Sequence, residues 1–131
     1  MRYLIDTHTF LWFNNGSSEI SQIAKSMIEN KENEIFISIA SLWEISIKSA
    51  LGKLVISSDF ETVIDDVIQS EIEVLSINFT HLVTQNKLPF HHKDPFDRII
   101  ISQGIVENME IISKDEKFDD YLFDEKIKRI W

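Results

Sequence analysis

The sequence predicts an α/β protein built on a mainly parallel sheet, and two observations predict it. Short apolar blocks of strand length alternate with longer blocks of helical period along the chain, as in successive β-α-β units. Several strand-like blocks also end directly in an acid or a hydroxyl, where open parallel sheets place their sites.

The elements follow in order. Tyr3 to Asp6 reads as a short buried strand, and Thr7 to Phe13 as a helix ended by Asn14-Asn15-Gly16. Ser21 is positioned to cap a helix running to about Asn30, with Ile23, Met27 and Ile28 on one face. Glu34 to Ser38 is a second strand. Ser38 or Ser41 opens a helix through Trp43, Ile47 and Leu51, closed by Gly52. Ser58-Asp59-Phe60-Glu61 has the form of a capping box for a helix to about Glu71. Glu73 to Ile77 is a third strand, Phe79 to Lys87 a helix, and Leu88 to Lys93 a loop. Asp94-Pro95 is a strong helix start, with Asp as cap and Pro at the first helical position. That helix carries Ile99, Ile100, Ile101 and Ile105. Glu110 to Ser113 is a fourth strand and Ile127 to Trp131 a fifth. No repeat, low-complexity tract or linker divides the chain, so residues 1–131 are expected to form one domain.

Composition narrows the chemistry. Cysteine is absent, so disulfides and thiolate metal sites are excluded, and a metal would have to be held by carboxylate, histidine or backbone oxygen. No apolar run approaches the roughly 20 residues of a membrane helix, and the N-terminus lacks the form of a signal peptide. A cytoplasmic protein is expected. The net charge of −9 argues against nucleic-acid binding by bulk electrostatics. It leaves room for a nuclease, because a carboxylate pocket that repels phosphate when empty attracts it once a divalent cation is bound.

One sheet edge can collect four acids: Asp6 at the end of the first strand, Glu44 in the helix after the second, Asp97 in the first turn after Asp94-Pro95, and Asp115 after the fourth strand. Packed together, these acids would raise one another's pKa and oppose folding unless a cation neutralised them. Carboxylate clusters suit Mg²⁺ or Mn²⁺, which can activate water for attack on phosphorus, singly or as a pair about 3.5–4 Å apart. Each acid also has a plainer role. Asp6 and Asp94 can cap helices, Glu44 can pair with Lys48 one turn on, Asp97 can favour a helix dipole, and Asp115 can be a solvated loop acid. Thr7 is a candidate to hold water at the site. His91 and His92, adjacent in a loop, are set aside as ligands and placed nearer substrate phosphate. Trp12, Phe13, Trp43 and Phe96 read as core or partner surface rather than as base-stacking platforms. Arg98, Lys48, Lys53, Lys93 and Lys114 are the cations available for phosphate.

Taken together, these segments resemble the PIN-domain family and, within it, toxins of the VapC type. The matching pieces are Tyr3-Leu4-Ile5-Asp6-Thr7-His8, Ser41-Leu42-Trp43-Glu44-Ile45 with Lys48 and Gly52-Lys53-Leu54, Leu88-Pro89 to His92, Asp94-Pro95-Phe96-Asp97-Arg98, and Ile111-Ile112-Ser113-Lys114-Asp115. They run in family order and span nearly the whole chain. The resemblance implies a three-layer α/β/α domain with a five-stranded parallel sheet and an Mg²⁺- or Mn²⁺-dependent endoribonuclease. By position it matches Asp6, Glu44 and Asp97 to the core acids and Asp115 to a more variable fourth, with all four as metal ligands. It also implies a homodimer, a cognate antitoxin and tRNA or ribosomal RNA as substrate. A non-catalytic PIN-like binding module is the alternative. An aspartate-nucleophile phosphatase would need Asp-x-Asp at the first strand, and a phosphoacceptor receiver would need a paired acid there. The sequence has neither.

Overall fold

The computed structural model describes residues 1–131. The strand–helix alternation takes the form β1 (Arg2–Ile5), α1 (Thr7–Asn14), α2 (Gln22–Glu29), β2 (Glu34–Ser38), α3 (Ile39–Ala50), α4 (Phe60–Gln69), β3 (Glu73–Leu75), α5 (Phe79–Lys87), α6 (Pro95–Glu107), β4 (Glu110–Ile112), α7 (Asp119–Leu122) and β5 (Arg129–Ile130). A 3-10 turn, Glu116–Phe118, precedes α7. The strands form one sheet in the order β3-β2-β1-β4-β5, and every neighbouring pair is parallel.

Period-2 alternation sends successive side chains to opposite faces, so a sheet buried on both sides needs two cores. Tyr3 and Ile5 of β1, Ile35 and Ile37 of β2, and Ile112 of β4 pack under α1, α2, α3 and α4. Leu4 and Ile111 belong to the opposite face, with Ile100 and Ile101 of α6 and Tyr121 and Leu122 of α7. This is the three-layer arrangement. No helix is long and apolar enough to cross a membrane.

Register fixes where the site lies. Ile5 pairs with Ile37 on one side and Ile112 on the other, so β1 and β4 end level and β2 runs one residue further. The next residues, Ser38, Asp6 and Ser113, therefore stand in a row at the carboxyl edge. The chain runs from β1 outward through β2 to β3, then returns to the other side of β1 for β4. Asp6 thus sits at the topological switch point, where open α/β sheets bind ligands.

Some local expectations are corrected. Asp59, not Ser58, caps α4; its Oδ1 accepts from the Thr62 amide at 2.9 Å and hydroxyl at 2.7 Å, replacing the box drawn to Glu61. α4 stops at Gln69, short of Glu71, and the third strand ends at Leu75 rather than Ile77. Of the two serines considered for α3, Ser38 is the cap, its Oγ accepting from the Ala40 amide at 3.0 Å. The fifth strand is only Arg129–Ile130. Helix α7 was not expected, because its apolar face is the single set Phe118, Tyr121 and Leu122, too short to show a period.

Gly104 lets α6 approach β4 closely. A Cβ there would lie 2.8 Å from Cγ1 and 2.7 Å from Cδ1 of fully buried Ile111. Gly104→Ala should therefore lower unfolding free energy by about 1–3 kcal/mol in a urea melt, the usual cost of overpacking.

Candidate active site

Asp6 is held by the elements it joins. It caps α1, with Oδ1 accepting from the Thr9 amide at 3.0 Å, while Oδ2 accepts from Ser113 Oγ at 2.6 Å. Ser113 Oγ in turn accepts from the Asp115 amide at 3.0 Å, so one hydroxyl ties the end of β1 to the turn after β4. Asp6 is buried, and burial pushes its pKa above the ordinary carboxylate range despite the hydrogen bonds from Ser113 and Thr9.

Glu44 projects from α3 and is also buried. Its Oε1 accepts from Thr7 Oγ1 at 2.6 Å, and Oε2 is paired with Lys48. Thr7 has one hydroxyl proton. Since the carboxylate can only accept, that proton belongs to Glu44, and Ser41, 3.0 Å away, is left to donate to Thr7. Thr7 therefore orients an acid rather than presenting a free hydroxyl for water. The helix pair Glu44–Lys48 and a place for Glu44 in the acid group coexist. Lys48 also stands 3.9 Å from Asp94. Partial burial pulls the Lys48 pKa down, but the Glu44 hydrogen bond and charge, with Asp94 and Asp97, outweigh it and raise the pKa above its ordinary value.

Asp94 caps α6, with Oδ1 accepting from the Phe96 amide at 2.8 Å and the Asp97 amide at 3.1 Å. That cap delivers Asp97 to the acid group. Burial first, and then the charges of Asp94, Asp6, Glu44 and Asp115, push the Asp97 pKa up to about 8. All four acids singled out in the sequence thus converge on one place. Asp115 also caps the 3-10 turn through its Oδ1, so its two roles coexist.

His92, set aside as a ligand in the sequence, stands among the acids instead of apart from them. Its Nε2 lies 3.0 Å from Asp97 Oδ2 and 3.2 Å from Asp115 Oδ2. Candidate ligand atoms of His92, Asp97 and Asp115 lie within 4.8 Å of one another, whereas Asp6 and Glu44 stand outside this tight group. The proton on His92 can be assigned from its neighbours. Nδ1 accepts from the Asp94 amide at 3.2 Å, so in the neutral ring Nε2 carries the hydrogen. In that tautomer His92 is a donor to the two carboxylates and offers no Nε2 lone pair. His91 does not join it; its ring lies 5.1 Å from that of Tyr121.

Arg98 corrects another expectation. It is 2% exposed and therefore closed to substrate. Its guanidinium donates to the carbonyls of Pro89 at 2.8 Å, Gln85 at 3.0 Å and Leu88 at 3.2 Å, and lies 4.2 Å from the Phe90 ring. It also reaches the Tyr121 hydroxyl at 3.3 Å, which accepts from the His92 amide at 2.7 Å. Arg98 therefore fixes the loop that carries His92. Lys48 and Lys114 remain at the site as the cations with partly or largely exposed side chains.

The donor set fits a hard divalent cation. Lys48 compensates Glu44 and Asp94, which leaves Asp6, Asp97 and Asp115 with no Lys or Arg ion pair of their own. A consequence can be measured without a metal. The folded-state pKa of Asp97, about 8, lies above the ordinary 3.8, so the fold binds that proton more tightly than the unfolded chain does. The Asp97 charge then opposes folding fully above pH 8, and the penalty fades as pH falls toward 3.8. In EDTA, Asp97→Asn should be more stable than wild type above pH 8, by roughly 1–2 kcal/mol after screening. The advantage should shrink in acid. A variant less stable across the whole range in thermal melts would mean that the His92 contact outweighs the repulsion.

The PIN domain family model matches residues 3–123. No curated protein is a significant match. Among solved structures, the chain is similar to VapBC2 of Rickettsia felis bound to a promoter DNA fragment, with TM-score 0.72 and 17% identity over 99% of this chain and 98% of that one. It is similar to DNA-bound VapBC of Salmonella typhimurium, with TM-score 0.72 and 15% identity over 99% and 97%. VapBC-1 of nontypeable Haemophilus influenzae gives TM-score 0.68 and 18% identity over 99% and 97%. At these identities the structural matches speak to the fold, and the family model spans most of the chain: the protein belongs to the PIN domain family.

Proposed function

We propose that the chain is a divalent-metal-dependent endoribonuclease and the toxin of a VapC-type toxin–antitoxin pair, working as one PIN domain in the cytoplasm. The observation that carries this reading is the convergence of Asp6, Glu44, Asp97 and Asp115 at the switch point, with the Asp97 pKa pushed to about 8. Repulsion of this kind opposes folding and is relieved when a cation is held among the acids, which supports a metal site there.

Asp6 and Asp97 would anchor Mg²⁺ or Mn²⁺, with Glu44 completing the shell or orienting the attacking water and Asp115 assisting. A bound ion supplies positive charge at the scissile phosphate and lowers the pKa of water. The remaining work falls to the chain. Ser113 and the Thr9 amide hold the two oxygens of Asp6, so they are already aimed. Thr7 and Lys48 do the same for Glu44. His92 keeps Asp97 and Asp115 together through its Nε2 hydrogen.

RNA is the proposed substrate, tRNA or ribosomal RNA in particular. A chain of net charge −9 has few other means of attracting a polyanion than a cation at its acid site. An antitoxin and a second copy of the chain are the proposed protein partners. The VapBC matches and the exposed Ile39 and Trp43, which line an apolar cleft with Leu42, Phe60 and Ile64, support a surface for them.

Purified protein incubated with total tRNA and ribosomal RNA should give discrete fragments in Mg²⁺ or Mn²⁺ and none in EDTA. Asp6→Asn should lose cleavage by at least about 100-fold while melting as a folded protein. Wild-type rates from Asp6→Asn would remove Asp6 from the mechanism. No cleavage by the folded wild type on any of these RNAs would favour the binding module.

A further inference from the structure

Asp6 and Asp115 form one wall of a cleft of about 240 Å³, and His8, Trp12 and Lys114 are the rest of its lining. His8 and Trp12 stand one turn apart on α1, with ring centroids 5.6 Å apart. Lys114, the first residue after Ser113, places its ammonium 5.6 Å from the Trp12 ring. The Trp131 indole lies 5.8 Å from Trp12, tilted at 58°. Phe13 and Trp131 pack against the core beneath the sheet face, whereas Trp12 is not part of that cluster and stays partly exposed. The one contact that competes for Lys114 is an exposed pair with Glu19 at 3.4 Å, which is weak and readily released.

An aromatic ring, an imidazole and an ammonium held only by an exposed ion pair, all beside carboxylates, suit a nucleotide, with its phosphate at the acids and its base against the ring. A base is neutral, so unlike phosphate it can approach this acidic surface without a penalty of charge. Stacking on an aromatic side chain contributes about 1–3 kcal/mol per base. We propose that this cleft is a nucleobase subsite, in which an unpaired base flanking the scissile phosphate stacks on Trp12, with His8 and Lys114 reaching its polar edge. A base inside a duplex cannot present its face in this way, so the cleaved position lies in a loop or another single-stranded stretch. The inference rests on the ribonuclease reading for its substrate, but its contacts are those of Trp12.

The test uses single-stranded RNA carrying 5-iodouridine, irradiated with the intact wild-type protein in Ca²⁺, and the cross-linked peptide mapped by mass spectrometry. A cross-link at Trp12 is expected; cross-links confined to Trp43, Phe96 or Trp131, or none, would overturn the subsite. In cleavage assays Trp12→Ala should raise KM roughly 5- to 150-fold and relax base preference beside the cut, while Trp12→Phe, which keeps an aromatic face, stays near wild type. A Trp12→Ala enzyme with wild-type KM and cut sites would also overturn it. A Trp12 cross-link on a protein that cuts no RNA would end the nuclease reading and keep the subsite. Normal cleavage with no such cross-link would do the reverse.

Discussion

The shared register of β1, β2 and β4 is the constraint on which the site depends. Because Ile5 pairs with both Ile37 and Ile112, the residues that follow are neighbours whatever their chemistry. The sequence places Asp6 between two serines there, and the Ser113–Asp6 hydrogen bond joins β1 to the turn bearing Lys114 and Asp115. A one-residue slip of β4 would turn Ile111 and Ile112 to the wrong faces, so two hydrophobic cores guard this register. Packing far from the acids thereby determines their geometry.

Against that rigid frame stands an electrostatic cost. Asp6 and Glu44 are buried, Asp97 is pressed by four other carboxylates, and Lys48 is the one Lys or Arg paired with any of them. Helix starts soften the cost, since Asp6 and Asp94 serve as caps and Asp97 lies in a first turn. The His92 Nε2 donor adds to this between Asp97 and Asp115, and buried Arg98 and Tyr121 hold its loop in place. The acidic edge is thus supported by hydrogen bonds from serine, threonine, histidine and backbone amides, with Lys48 as its one Lys or Arg ion pair.

Much of this was legible in the sequence because it depends on local patterns. Buried parallel strands leave short apolar runs, and Asp6, Glu44, Asp97 and Asp115 stand at fixed offsets from strand ends or helix starts. What stayed hidden depends on tertiary neighbours. His92 reads as one of two loop histidines, and only the fold brings it between Asp97 and Asp115 while sending His91 toward Tyr121. Arg98 reads as a surface cation because nothing nearby in sequence announces the loop carbonyls that bury it. Trp12 reads as core or partner surface rather than a stacking platform because it lies in an apolar helix, and its partly exposed position beside Lys114 emerges only when β4 is placed next to β1. The hydroxyl of Thr7 is likewise committed to Glu44, 37 positions away.

The most direct test of the account is a calorimetric titration of the wild-type chain with Mn²⁺ near neutral pH, run in two buffers of different protonation enthalpy. A site built from Asp6, Asp97 and Asp115, with Asp97 largely protonated beforehand, predicts saturable binding with release of protons to the buffer. Absence of saturable binding, or binding with no proton release, would contradict the claim that the repulsion among these acids exists to hold a cation.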